Sequence, residues 1–419
     1  MESSANTDRP VTYRDVFGNG NWIRLWAGQT ISQLGDFVAI IAFPLLVYEI
    51  TKSAVGLGAG FAIEALPIIV VSPIAGVFAD RWNRRTILLV SDTVRIFSTL
   101  GIFFSTAVWQ LYVLALIAAT MQAIFVTTYA ATIPQITEHQ FVKAISLSYT
   151  GYNTMQVIGP LVAAVLIGLF HGPRPVFLFD AATFALAVLM TSTIKVGNIE
   201  QKGQTKRFLN DLKAGANFLT KNAVVRYITG YHTITTIAEA VAILGTLLYI
   251  KTALGLSSTA SDQLYGLVGG IMAGSLALGN WLIGMFDQRL PKRPLMLWGP
   301  LVAGAAYLLF LSHPGTFALL IICAVLSVGK ACSLVPSLAF LAQSVPNDIR
   351  GRVYSFFNAI NSLANLLSYS VFAAVAILLP PSILLGIAGL LLLIGIPLIT
   401  LVFKGTQALR EQEQSRPAL

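Results

Sequence analysis

The sequence predicts an all-α polytopic membrane protein, with twelve transmembrane helices in two pseudo-symmetric six-helix halves. Three observations carry that reading. The chain has 419 residues, 56% hydrophobic and only 11% charged, against the roughly 25% charge that a soluble globule uses to coat its surface. Its apolar runs are each roughly 18–27 residues, long enough for a hydrocarbon core about 30 Å thick, and they do not alternate as barrel strands would. Finally, two polar breaks recur at one offset. Gly76-Val77-Phe78-Ala79-Asp80-Arg81-Trp82-Asn83-Arg84-Arg85 reappears, weaker, as Gly284-Met285-Phe286-Asp287-Gln288-Arg289-Leu290-Pro291-Lys292-Arg293, 208 positions on (284 − 76). The same shift carries the polar break at 138–144 onto that at 346–352, as a duplicated half requires.

The spans are expected at 22–48, 54–79, 86–106, 109–133, 145–170, 175–194, 226–250, 263–286, 295–312, 316–342, 353–378 and 382–403. Residues 1–21 form an N-terminal tail with acids and no apolar core, so no cleaved signal is expected and the first span directs insertion. The first half covers 22–194 and the second 226–403, with a C-terminal tail at 404–419. Glu49–Ser53, His171–Arg174 and His313–Gly315 are short turns, too small for an extracellular module. In the second span Gly56 and Gly60, and in the eighth Gly266, Gly270 and Gly274, have the GxxxG spacing that admits a neighbouring backbone. Asp92 and Arg95 stand one turn apart in the third span and can neutralise each other. Gly159-Pro160 interrupts the fifth. The connection at 195–225 holds Phe208, Leu209, Leu212, Ala216, Phe218 and Leu219 among lysines and an arginine, which predicts an amphipathic helix on the inner leaflet. Span nine is the shortest.

Charge fixes the expected orientation. About 22 of the 27 Lys and Arg lie in the tails and every second loop, and about three (Lys52, Arg174, Lys251) in the opposite loops. Both termini are therefore expected in the cytoplasm. The net charge of +9 needs no nucleic acid to explain it. Cys323 and Cys332 are nine residues apart on one helix, on opposite faces at about 100° per residue, so no disulfide joins them. No metal-ligand spacing, nucleotide-binding loop or catalytic triad is present, so neither an enzyme nor an ATP-driven pump is expected, and no catalytic residue is assigned.

The loop Gly76…Asp80-Arg81…Arg84-Arg85 resembles the G-x-x-x-D-[RK]-x-G-[RK]-[RK] motif of the major facilitator superfamily, with Asn83 in place of the glycine. Asn is the next residue after Gly for a left-handed turn, which reconciles the departure. Trp26-Ala27-Gly28-Gln29, Leu34-Gly35-Asp36 and Tyr48-Glu49-Ile50-Thr51-Lys52-Ser53 resemble the macrolide-efflux and enterobactin-exporter branch. The resemblance spans about Trp22 to Lys404. It implies that spans one, four, seven and ten line a central cavity, and that Gly76, Asp80, Arg81, Arg84 and Arg85 form a gating loop. In span five only Gly159-Pro160 of the family's antiporter motif is kept, with Met155 and Ala163 at its flanking glycines.

Ionisable groups at membrane depth are costly, and each is a site candidate. Asp36, Glu64 and Glu239 are the candidates for proton coupling. Gln33, Gln122, Tyr129, His232 and Lys330 are the candidates for a substrate cavity, with Phe43 among its apolar wall. Asp180 reads as a helix-end residue close to water. Two midplane acids and one midplane base leave one acid unpaired. Glu239 is the easier partner for Lys330, being in the same half, so Asp36 is expected free, with Gln33 and Gly35 leaving wettable space beside it.

The implied activity is secondary transport: proton-coupled export of a hydrophobic or amphipathic small molecule of the drug or macrolide type, an antiporter contributing to multidrug resistance. No cofactor is expected beyond the proton gradient. The expected partners are the small-molecule substrate and membrane lipids, with the chain acting as a monomer. The alternatives are export of a siderophore-like metabolite held by Lys330, and a lysophospholipid flippase.

Overall fold

The computed structural model describes residues 12–71, 75, 82–137, 140–194, 216–286, 290–346, 349–405, 407 and 409–410. Twelve long helices make up most of it. The first six are α1 (Gly20–Thr51), α2 (Ala54–Val70), α3 (Arg84–Phe104), α4 (Val108–Thr137), α5 (Phe141–Phe170) and α6 (Val176–Ser192). The second six are α7 (Ala223–Thr252), α8 (Ser258–Met285), α9 (Lys292–Leu308), α10 (Thr316–Ser344), α11 (Arg350–Val375) and α12 (Pro381–Val402). A short helix, Tyr13–Gly18, precedes them, and a 3-10 turn, Leu309–Ser312, extends α9. Nine of the twelve, α9 with its 3-10 extension included, are long and apolar enough to cross a membrane. Of the others, α2 and α6 have 17 residues each, and α11 carries Asn358, Asn361 and Asn365 among its apolar residues.

The helices start where short polar side chains satisfy free backbone donors. Asn19 accepts from Trp22 at the head of α1, and Asn222 from Val225 at the head of α7. Ser53 caps α2 through Val55, and Ser257 caps α8 through Ala260. The two halves thus begin with the same pair of caps, each worth about 1 kcal/mol to its helix. Asn83 caps α3 by accepting from Thr86, with φ −61°. Its place in the loop motif is therefore that of a cap, not of the left-handed turn expected from the sequence. Lys52, His171 and His313 do adopt left-handed backbone, at the turns that end α1, α5 and the 3-10 segment.

Helix pairing repeats after six helices. α1 packs on α5 and α6, α3 on α4 and α6, and α2 on α4; α7 packs on α11 and α12, α9 on α10 and α12, and α8 on α10. The halves join along two seams, α5 with α8 and α2 with α11, which interchange under the same shift.

Small residues make those seams. A Cβ on Gly266 would stand 2.9 Å from that of Ala164, and one on Gly269 would stand 3.1 Å from Pro160, so α8 lies close against α5 as the GxxxG spacing predicts. On α2 the outcome differs. Gly60 faces Phe43 of α1 and Gly56 faces Thr51, while Gly58 between them meets Ala373 and the Tyr369 carbonyl of α11. Phe61 then stacks on Tyr369 at 4.7 Å between centroids. These contacts lie towards the start of α2 and the end of α11. Gly159-Pro160 is a junction: Gly159 touches Phe37 of α1 and Pro160 touches Gly269 of α8.

Lys251 is not in a loop. It sits in the last turn of α7 with its side chain 8% exposed, paired with Asp262 of α8. The amphipathic helix expected within 195–225 falls mostly outside the described residues; 216–221 is helical.

Candidate functional site

Three cavities lie at the level of the buried charges: one inside each half and one between them. The N-half cavity, about 270 Å³, is walled by α1, α2, α3, α4 and α6 and contains Asp36, Glu64, Arg95, Gln122 and Asp180. Arg95 of α3 is its organising group. Its guanidinium pairs with Asp36 of α1, lies 3.4 Å from Asp92 one turn away, and rests on the Phe184 ring of α6 at 3.9 Å. Asp180 and Thr183 of α6 close in on Gly35, where a Cβ would overlap both side chains.

This corrects three expectations. Asp36 is not the unpaired acid, because Arg95 reaches it across the helix interface as well as turning to Asp92. Nor is the space beside Gly35 open; it is filled by α6. Asp180 is not a water-facing helix end either, being 3% exposed within the cluster. Two carboxylates therefore share one guanidinium with Asp180 in the same cavity, and one oxygen on each of Asp36, Asp92 and Asp180 is buried without a hydrogen bond. Asp36 has the most open side chain of the salt-bridged groups here, 23% exposed against 1% for Asp92.

The C-half cavity, about 300 Å³, lies among α7, α8, α9, α10 and α12. Lys330 of α10 donates to Glu239 of α7, the pairing expected from the sequence. His232, two turns before Glu239 on α7, shares a 2.9 Å hydrogen bond with Ser337 and meets Phe357 edge-on. Thr235, Thr236, Ser327 and Ser333 add hydroxyls to the wall.

The two intra-half cavities are the same cavity twice. Glu64, Arg95, Thr99, Ala118, Ala119, Gln122 and Phe184 of the first correspond, at +208, to Met272, Ala303, Tyr307, Leu326, Ser327, Lys330 and Leu392 of the second. That is the offset between the two loop motifs. On the first helix of each half the shift is 196: Asp36, Ala39, Ile40 and Phe43 become His232, Thr235, Thr236 and Glu239. Shape is kept while charge is redistributed. The cation sits on α3 in one half and on α10 in the other.

Between the halves lies the third cavity, about 340 Å³, walled by α1, α2, α7, α8, α9, α10 and α11. Glu64 and Glu239 both face it, and each also lines the cavity of its own half. The acids thus form a bridge from one internal cavity to the other through the centre.

The remaining candidates divide. Gln122 lines the N-half cavity with its amide oxygen unpaired. Tyr129 instead ties α4 to α5 through Ser148 at 3.0 Å and stacks on Phe125. Gln33 lines none of the three cavities. Gly76, Asp80 and Arg81 lie outside the described residues. Arg84 donates to the Ala131 carbonyl of α4 and Arg85 to that of Ser192, the last residue of α6. These two arginines tie the start of α3 to backbone acceptors of its neighbours, a favourable place for a cation at the end of α6.

A bundle of two repeated six-helix halves around a central cavity that two acids face is the architecture of a membrane transporter. The profile of the Major Facilitator Superfamily matches residues 25–257 and 230–418. The chain belongs to that superfamily. It is 26% identical to an uncharacterized MFS-type transporter, YfiS, of Bacillus subtilis (strain 168), over 91% of this chain and 92% of the relative. Macrolide efflux protein A of Streptococcus pyogenes is 21% identical over 81% and 85% of the two chains. Multidrug resistance protein MdtG of Enterobacter lignolyticus (strain SCF1) is 24% identical over 85% and 86%. Among solved structures, the nucleoside transporter NupG superposes with TM-score 0.71 at 16% identity, covering 92% of this chain and 98% of that one. A bacterial homologue of the iron transporter ferroportin in an inward-facing state also gives 0.71, at 14% identity over 92% and 98%.

Proposed function

We propose that the chain is a proton-coupled secondary exporter of hydrophobic or amphipathic small molecules, an antiporter of the bacterial inner membrane. Both termini are cytoplasmic, residues 22–194 and 226–403 are the two moving halves, and the 195–225 connection lies on the inner face. The chain works as a monomer among membrane lipids, with the proton gradient as its energy source. The names of the relatives, macrolide efflux and multidrug resistance, support the direction and the substrate type.

One observation carries the coupling. Arg95 pairs with Asp36 and Asp92, and Asp180 lines the same cavity, so among the described residues the N-half holds more acid than base at membrane depth. Excess buried carboxylates are groups that exchange protons instead of holding fixed charge. Asp36 is the member open to the cavity, and it carries the proton in from the outer side. Loss of charge at Asp36 loosens its hold on Arg95, and that change is relayed to the central cavity through Glu64. The halves then rock about their seams.

The test uses the purified full chain in proteoliposomes with an imposed pH gradient and an amphipathic fluorescent dye. Asp36→Asn should abolish gradient-driven accumulation while downhill exchange persists. Uphill transport at the wild-type rate in Asp36→Asn refutes this coupling scheme.

A further inference from the structure

Neither ion network accounts for Glu64. It has no hydrogen bond and no ion pair among the described residues, although it faces both the N-half and the central cavity. The other acid on the central wall, Glu239, is taken up by Lys330. With both acids ionised the central cavity carries one negative charge that no side chain on its wall balances.

Four aromatic residues line the same cavity. Phe61 and Tyr369, from opposite halves, stack with an interplanar angle of 22°. Tyr265 and Tyr307 complete the set on the same wall. The three tyrosines are 9%, 7% and 8% exposed. Their hydroxyls, too, have no hydrogen-bond partner among the described residues. The rest of the wall is mainly aliphatic, Ile40 and Ile243 among it.

We infer that the central cavity selects monovalent lipophilic cations, protonated tertiary amines or quaternary onium ions, and rejects anions of the same size. Ring faces attract a cation and do so most strongly away from water. Glu64 supplies the counter-charge at the same place. An anion would meet Glu64 with no free cation on the cavity wall to compensate, since Lys330 is already paired. Tyrosine hydroxyls left over can accept from an ammonium N–H. The inference rests on the exporter reading only for the steps after binding.

Binding is measured on the full chain in nanodiscs, without any gradient, using tetraphenylphosphonium and tetraphenylborate, which share a shape and differ in sign. The phosphonium should bind at least about tenfold tighter than the borate. Glu64→Gln should weaken the phosphonium by about tenfold or more and remove the preference for sign. Tyr369→Phe should keep affinity and Tyr369→Leu should lose it, because the ring face and not the hydroxyl contacts a phosphonium. Equal binding of the two ions by the wild-type chain overturns the inference, and that comparison needs no variant to fold. Unchanged phosphonium affinity in Glu64→Gln overturns it as well. Glu64-dependent phosphonium binding without gradient-driven movement sustains this inference and refutes the exporter reading. Gradient-driven export of a neutral or anionic compound without phosphonium binding does the reverse.

Discussion

Replacing Arg95 by methionine removes the cation that Asp36 and Asp92 share, in the cavity that Asp180 also lines. The guanidinium is 3% exposed, pairs with Asp36, lies 3.4 Å from Asp92 and covers the Phe184 ring at 3.9 Å. Methionine fills much of the volume but leaves buried carboxylates without a counter-charge. Breaking a buried pair from one side costs about 3–5 kcal/mol. For a folding unit the size of one half, about 2–4 °C is lost per kcal/mol, so Tm should fall by roughly 6–20 °C. The assay is thermal unfolding in detergent followed by intrinsic fluorescence. Arg95→Lys should be intermediate, because one ammonium cannot present two separate nitrogens to Asp36 and Asp92. Arg95→Met combined with Asp36→Asn should recover part of the loss, since one stranded charge goes with its partner. A single Arg95→Met variant that melts within about 2 °C of wild type would show that the cluster is not held by Arg95.

Glu239→Gln should behave differently, despite removing half of an equally close pair. Both partners face the cavity, Lys330 at 41% and Glu239 at 43% side-chain exposure, so solvent screening reduces the cost to about 1 kcal/mol or less. A fall in Tm as large as that of Arg95→Met would refute the distinction. Single cysteines at Lys52 and Lys251 should also part company in labelling with an impermeant thiol reagent from outside. Lys52→Cys labels at once, whereas Lys251→Cys is slow, because that side chain is 8% exposed and tied to Asp262; equal rates would contradict the burial.

The repeat was legible in the sequence because two loops preserve one offset, and the cavity walls keep it. The Lys330–Glu239 pair was legible because only one base stands at that depth in the second half. Asp36 was misread for a definite reason. Arg95 is 59 positions from Asp36 and has an acid of its own one turn away, so spacing along the chain made a local pair look complete. A guanidinium has five donors, and counting them would have left room for a second carboxylate. Asp180 was misplaced because nearness to a helix end says nothing of which helices cover that end; here α1 and α3 do. On α2 the GxxxG rule found the right helix and the wrong glycines, since the rule ranks spacing and not the face that a neighbour approaches.

The seams between the halves have a consequence for how easily they slide. Arg95–Asp36, Lys330–Glu239 and Lys251–Asp262 each stay within one half. What crosses at Gly58, Gly266 and Gly269 is contact between small side chains and bare backbone. Such contact is a sum of many attractions of about 0.1–0.2 kcal/mol per atom pair, each lost gradually with distance. At these three glycines, relative motion of the halves therefore meets friction in place of latches. Sliding there follows temperature and the lateral pressure of the surrounding lipid, while these three ion pairs travel with their own halves.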